Sequence, residues 1–189
     1  MGKINNLKEM FEYLDTMNDP KEPEYDYCKE ESYGLFDTYE KFLQKVLELD
    51  EIPKRVVDIG SCYNQYAYIF ENAGIDYIGI DLWNAARRIK PYESEHVQFI
   101  GARYEDIADW FKDDVIISNL CVGYLVKIED VKGKHLIVNE LNEEIFYLNF
   151  GNNDEFYSYY DAMRGYAILV AHLNCNNIEY ELIDETYFR

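Results

Sequence analysis

Two short stretches of sequence decide the fold: Val-Val-Asp-Ile-Gly-Ser-Cys-Tyr-Asn-Gln-Tyr at residues 56–66 and Tyr-Ile-Gly-Ile-Asp at residues 77–81. Each begins as a short apolar run with strand character, and the runs end at Gly60 and at Asp81. A helical pattern over residues 66–72 separates them. Asp81 follows Gly60 by 21 residues, near the spacing of about 20 residues in nucleotide-binding βαβ units. The pattern therefore predicts a βαβ unit with a ligand site at its strand ends.

The two residues that end these runs suit a ligand that carries a ribose. Gly60 has no Cβ, so the backbone can approach a ligand closely there. Asp81 can accept hydrogen bonds from both ribose hydroxyls, and open α/β sheets bind ligands in the crevice beyond their strand ends. The sequence has neither the G-x-G-x-x-G pattern of NAD sites nor the G-K-[ST] of phosphate loops. The alternative interpretation is that both are ordinary turn residues at strand ends.

The alternation of strands and helices continues beyond this unit. Further apolar runs at residues 97–100, 115–117 and 135–138 predict strands, and residues 105–111 have a helical pattern. Continuously apolar strands that alternate with helices are typical of a buried parallel sheet. We therefore predict an α/β fold, a three-layer sandwich with a mostly parallel, Rossmann-like sheet.

The N-terminal segment, residues 1–52, predicts a helical cap on this core. Apolar residues at helical spacing predict one helix over residues 3–17 and a second from about Ser32. Two prolines and several carboxylates predict an exposed loop over residues 18–26. We expect a single domain, residues 1–189, in which residues 53–189 form the core.

The topology of residues 135–189 stays open in the sequence. An apolar stripe predicts a helix over residues 154–173, which would contain His172 and an aromatic cluster near its start. Residues 145–150 fit a strand or a loop, and alternation over residues 178–188 predicts strand.

Composition and charge exclude several classes of partner. The 189 residues include 18 Lys and Arg against 37 Asp and Glu, a formal charge of -19. A surface that binds nucleic acid or an anionic membrane needs clustered cations, so neither partner is expected. No apolar run reaches the about 20 residues of a membrane span, and the N-terminus has no signal-peptide pattern, so we expect a cytoplasmic protein. No C-x-x-C pair occurs among the four cysteines, so we predict no metal site.

The stretch around Gly60 resembles that of class I, Rossmann-like S-adenosylmethionine-dependent methyltransferases. This family carries an acidic-x-Gly-x-Gly-x-Gly turn after its first strand and an acidic residue after its second. Asp58-Ile59-Gly60 matches, whereas Cys62 and Asn64 occupy the later glycine positions. The turn is more specifically similar to the Asp-x-Gly-Ser-Cys-x-Asn-Pro turn of the SAMTOR/Bmt2-like group, with Gln65 in place of proline. The resemblance covers roughly residues 54–140.

The resemblance implies S-adenosylmethionine as the cofactor and places its site at the strand ends. After the third strand, Arg103 stands where the family often has an acid, so adenine contacts fall to Tyr104, Glu105 or a backbone amide. After the fourth strand, only Asn119 remains of the Asn/Asp-Pro-Pro-Tyr found in base amino-methylating relatives. No catalytic residue is identified. The implied cofactor-binding residues are Asp58, Gly60, Ser61, Cys62, Tyr63, Asn64, Asp81, Leu82, Tyr104, Asn119 and Leu120.

Three functions compete at this point. The first is an S-adenosylmethionine-dependent methyltransferase that acts on a small molecule or a protein. The second is a non-catalytic S-adenosylmethionine sensor or adaptor, favoured by Cys62, by Arg103 and by the lack of an identifiable acceptor site. The third is an acidic inhibitor of a basic partner, supported only by the net charge. We favour the first, and the oligomeric state stays undetermined.

Overall fold

The computed structural model describes residues 3–82, 89–119, 121, 130–140, 166–174 and 177–187. The chain divides into two compact units, residues 1–103 and 104–189. The first unit contains α1 (Leu7–Leu14), α2 (Pro23–Gly34), α3 (Phe36–Glu48), β1 (Arg55–Ile59), α4 (Ala67–Asn72), β2 (Asp76–Ile80) and β3 (Val97–Ile100). The second contains α5 (Tyr104–Ile107), a 3-10 turn (Ala108–Phe111), β4 (Val115–Asn119), β5 (His135–Glu140), β6 (Tyr166–Asn174) and β7 (Asn177–Tyr187).

The strands of the first unit are parallel and lie in the order β3-β2-β1. Val57 lies opposite Ile78, which in turn lies opposite Gln98. Val56, Val57, Tyr77 and Ile80 are almost completely buried, as expected for strands covered on both faces. Because carboxyl ends of parallel strands meet at one edge, the residues that follow β1 and β2 are neighbours.

The strands of the second unit lie in the order β4-β5-β6-β7. β4 and β5 are parallel, with Ile116 opposite Leu136, whereas the β5–β6 and β6–β7 pairs are antiparallel. The antiparallel pairs belong to the part of the chain whose topology the sequence left open. The mostly parallel, three-layer α/β architecture predicted from the sequence is confirmed.

Two of the three N-terminal helices, α1 and α2, follow residues whose side chains accept hydrogen bonds from the first backbone amides, whereas α3 has no such cap. Asn6 caps α1, because its side chain accepts a hydrogen bond from Glu9 N at 2.9 Å, and the Glu9 carboxylate reaches back to Asn5 N at 2.8 Å. Four apolar residues of α1 are buried: Leu7, Met10, Phe11 and Leu14. The three helices occupy the predicted N-terminal segment, and their role as a cap stays a prediction.

The predicted loop over residues 18–26 was wrong in its second half, where α2 begins at Pro23. Proline is tolerated in the first helical turn because its missing amide hydrogen would have no partner there. The Glu22 side chain accepts a hydrogen bond from Tyr25 N at 2.8 Å and so caps the helix.

The predicted helix over residues 154–173 was also wrong from residue 166 onward, where the chain forms β6. His172 therefore lies in a strand, opposite His135. The segment Ala-Ile-Leu-Val-Ala at residues 167–171 is a continuous apolar run, which fits a buried strand as well as a helix. Residues 145–150 and 154–165, with the predicted aromatic cluster, lie outside the described residues.

Candidate functional site

The turn after β1 has a left-handed backbone at three of its five residues. Gly60 has a φ of 84°, Cys62 of 50° and Asn64 of 58°. Glycine and asparagine tolerate this region, whereas the Cβ of a cysteine makes it unfavourable by about 1–2 kcal/mol. Cys62 therefore adopts a conformation that favours glycine, at a position where the resemblance expects glycine. Cysteine at this position is therefore compatible with the left-handed backbone that glycine would favour.

Each backbone amide of this turn already donates a hydrogen bond within the protein. Gly60 N and Ser61 N donate to the carbonyl oxygen of Ile80 at 2.9 and 3.4 Å. Three further bonds complete the set: Cys62 N to Asp81 Oδ2 at 2.9 Å, Tyr63 N to Gln65 Oε1 at 3.0 Å and Asn64 N to Ser61 O at 3.0 Å. A loop that binds pyrophosphate instead directs its amides at the anion. The turn is therefore not built as a phosphate cradle.

Asp81 links the ends of the two strands. Its backbone amide donates to Ile100 O at 3.2 Å, and its carboxylate accepts the hydrogen bond from Cys62 N. The residue is partly exposed, and the neighbouring Leu82 is 47% exposed. Asp81 thus fixes the turn, and the residue stays partly exposed at the end of β2.

Asn64 anchors the far end of the turn beneath the sheet edge. Its side chain is fully buried, and Nδ2 donates to Tyr92 O at 3.0 Å and to Gln98 O at 3.2 Å. This position depends on Gly79, because a Cβ there would lie 1.8 Å from Asn64 Oδ1 and 2.4 Å from Ser61 Oγ. The glycine inside β2 therefore makes room for the turn.

Asp58, the last polar residue of β1, is completely buried. Its Oδ2 accepts hydrogen bonds from two hydroxyls, that of Tyr39 on α3 at 3.0 Å and that of Tyr77 on β2. Among the residues that the structure describes, none donates to Asp58 Oδ1. Burial raises the pKa of Asp58 to about 7, although the two hydrogen bonds lower it. The negative charge of Asp81 adds a small further increase.

The structure brings together eight of the eleven predicted cofactor-binding residues. They follow or end β1 and β2 in the first unit: Asp58, Gly60, Ser61, Cys62, Tyr63, Asn64, Asp81 and Leu82. Only Gly60, Cys62, Asp81 and Leu82 are more than slightly exposed. The Tyr63 ring points into the protein, where its centroid lies 5.5 Å from that of Tyr25 on α2. The exposed edge of the candidate site is therefore made of Gly60, Cys62, Asp81 and Leu82.

The other three predicted residues belong to the second unit. Tyr104 is buried, and its hydroxyl donates to Lys132 O at 2.8 Å and accepts from Lys132 N at 3.1 Å. Its hydroxyl is thus engaged within the second unit, and its role in adenine binding stays a prediction. Asn119 ends β4, and Leu120 lies outside the described residues.

Three residues of the site were missed in the sequence. Gly79 carried a usable signal, because a glycine inside an apolar strand often marks a close approach of other atoms. Tyr39 and Tyr77 carried none, since each is one aromatic residue among 19 tyrosines and only the fold brings their hydroxyls to Asp58.

Two further properties concern only the described part of the chain. Its His, Cys, Asp and Glu residues form no group of three or more that could hold a metal ion. Its helices include none with the length and apolar character needed to cross a membrane.

No protein-family model matches the sequence, and no curated protein is similar enough to count as a match. Solved structures are similar in fold. The plantazolicin methyltransferase BpumL, in complex with a pentazolic desmethylPZN analog and SAH, superposes with a TM-score of 0.51 at 19% identity. That match covers 84% of this chain and 77% of the other. The chain has a Rossmann-like methyltransferase fold.

Other structures match over a smaller share of their length. A protein from Anabaena variabilis ATCC 29413, described as a methyltransferase from an antibiotic biosynthesis pathway, has a TM-score of 0.43 at 16% identity. A methyltransferase from Listeria monocytogenes has 0.40 at 22%. Each of these matches covers 56% of this chain, and it covers 45% of the Anabaena protein and 56% of the Listeria protein. This chain therefore spans about half the length of these two proteins.

Proposed function

We propose that this protein is an S-adenosylmethionine-dependent methyltransferase whose acceptor is a small molecule or a protein. The observation that carries the proposal is the left-handed turn of residues 60–64 at the end of β1, tied by Cys62 N to the Asp81 carboxylate at the end of β2. In an open α/β sheet this edge is the expected ligand site.

The residues of the turn fit this cofactor better than a nucleotide with phosphates. All five turn amides are engaged within the protein. Among the residues that the structure describes, the carboxylic acids Asp58 and Asp81 lie at these strand ends, where they would repel a phosphate. S-adenosylmethionine has a ribose, no phosphate and a positively charged sulfonium. When bound, it supplies a methyl group that is already activated for transfer, so alignment of the acceptor is the main task left to the protein.

The turn also supports a finer assignment. We place the chain nearest to the SAMTOR/Bmt2-like group, because Gly60-Ser61-Cys62 and Asn64 repeat that group's turn. Cys62 and Asn64 both have a left-handed backbone, so each position requires a residue that tolerates a positive φ. The formal charge of -19 supports an acceptor other than nucleic acid, and a cytoplasmic location is part of the same proposal.

Isothermal titration with S-adenosylmethionine tests the binding half of the proposal. The informative variant is Asp81→Asn, because asparagine still accepts the hydrogen bond from Cys62 N but has no charge and one acceptor fewer. Loss of charged hydrogen bonds to the ribose should weaken binding about tenfold or more. Asp76→Asn is the matched control, because Asp76 lies at the opposite end of β2 and is 54% exposed.

Absence of heat at millimolar ligand would contradict the proposal, and equal affinities of the two variants would remove Asp81 from the site. The catalytic half is tested by release of S-adenosylhomocysteine in the presence of small-molecule and peptide acceptors. Tight binding without release for any acceptor would favour the sensor function over the transferase.

A further inference from the structure

The buried Asp58 carboxylate is held in an unusual way. Two tyrosine hydroxyls, from α3 and from β2, donate to the same oxygen, Oδ2. The second oxygen is enclosed, and no described residue donates to it. A buried carboxylate with one satisfied oxygen is balanced between its charged and neutral forms, because burial favours the neutral form and the two donors favour the charged one.

The Tyr39 side chain is rigidly placed for this contact. It is 2% exposed, and its ring stacks on that of Tyr66 with centroids 3.9 Å apart and an angle of 15° between the planes. Tyr66 itself donates its hydroxyl hydrogen to Ser32 O of α2 at 2.8 Å. The N-terminal helices are thus connected to the carboxylate that immediately precedes the Ile59-Gly60 turn.

Within the part of the chain that the structure describes, titratable groups on several elements interact with Asp58. They are Tyr39 of α3, Tyr77 of β2, Asp81 after β2 and Tyr66 before α4, while Cys62 of the turn interacts with all three tyrosines. Each of these is an acid or a neutral hydroxyl or thiol. The charge of Asp58 therefore depends on the tyrosine donors and on whatever cation approaches the turn.

We propose that Tyr39 is a positioning residue of the site: its hydroxyl favours the ionised form of Asp58 beside the Gly60–Asn64 turn, so that binding of cationic S-adenosylmethionine depends on the proton of Asp58. This inference rests on the proposed function. A positively charged ligand is attracted by the ionised carboxylate and gains nothing from the neutral acid. Tyr39 acts through Asp58 and needs no contact with the ligand.

The test compares Tyr39→Phe with Tyr68→Phe by isothermal titration with S-adenosylmethionine near pH 7 and near pH 9. Tyr39→Phe keeps the stacked ring and removes one donor to Asp58, which should raise the pKa of the carboxyl by about one unit. Because the pKa of Asp58 is about 7 in the wild type, the ionised fraction near pH 7 should be about fivefold smaller in the variant. Binding should be about fivefold weaker near pH 7 and should approach the wild-type value near pH 9.

Tyr68→Phe is the matched control, because Tyr68 is also buried and its hydroxyl has no hydrogen-bond partner among the described residues. This variant should follow the wild type at both pH values. Tyr77→Phe removes the other donor and should shift the pH profile in the same direction, which provides a second test if Tyr39→Phe does not fold.

The possible results separate the two proposals. A variant that binds like the wild type at both pH values, or one weakened equally at both, would overturn the role of Tyr39 while leaving the proposed function intact. A wild-type protein that does not bind S-adenosylmethionine at either pH would overturn both. Weakening confined to the lower pH, and absent in Tyr68→Phe, is the result that we expect.

Discussion

Replacing Asp58 by asparagine should make the stability of the protein less dependent on pH. The native pKa of Asp58 is about 7, whereas its ordinary value is 3.8. The folded protein therefore binds more protons than the unfolded chain between these values, and the free energy of unfolding falls as the pH rises through this range. In full, the raised pKa of Asp58 lowers that free energy by on the order of 4 kcal/mol between acidic and alkaline pH.

About half of this loss falls in a range where other carboxylates are already ionised. Between pH 5.5 and pH 8.5 the raised pKa of Asp58 lowers the free energy of unfolding by about 2 kcal/mol. The side chain introduced by Asp58→Asn has no proton to lose. The stability of this variant relative to the wild type should therefore rise by about 2 kcal/mol from pH 5.5 to pH 8.5.

Guanidinium unfolding followed by circular dichroism at the two pH values measures this change. Asp113→Asn is the control, because Asp113 is exposed in the turn before β4, and its pH dependence should equal that of the wild type. The reasoning is refuted if Asp58→Asn loses as much stability between the two pH values as the wild type does.

Three further tests use substitutions in the turn, in β2 and at the start of α1. Gly79→Ala should lower the free energy of unfolding by about 2–4 kcal/mol, because the added Cβ collides with Asn64 Oδ1. In a double-mutant cycle, the cost of Gly79→Ala should be at least about 1 kcal/mol smaller when Asn64 is alanine. Strictly additive effects of the two substitutions would contradict the contact. Cys62→Gly should leave the affinity for S-adenosylmethionine within about twofold of the wild-type value. Cys62→Val should weaken it about tenfold, since β-branched residues are strained at positive φ. Equal affinities of these two variants would show that the shape of the turn is not required. Asn6→Ala should lower the free energy of unfolding by about 1 kcal/mol through loss of the α1 cap, which thermal melting would detect.

The parts of the fold that the sequence predicted are those set by local patterns. The apolar runs at residues 56–59, 77–80 and 97–100 form parallel strands. Short, nearly continuous apolar runs are typical of strands that are buried on both faces of a sheet. Gly60 and Asp81 came together because they follow adjacent strands. The approximate place of the candidate site was therefore predictable.

The parts that could not be predicted depend on contacts between distant residues. Tyr39 meets Asp58 across 19 residues, and nothing in the sequence around Tyr39 separates it from the other tyrosines. The strand β6 replaced a predicted helix because an apolar run takes its structure from its partners, here β5 and β7. Pro23 suggested a loop, although the same residue can begin a helix.

The fit of Asn64 over Gly79 links two positions that are 15 residues apart in the sequence. A larger side chain at either position would displace the other residue. We therefore expect the two positions to have changed together during evolution or to have stayed the same. In relatives of this chain, a bulkier residue in the middle of the second strand should be accompanied by a smaller one at the end of the turn. Such paired changes would trace this contact through lineages whose overall sequences have diverged beyond recognition.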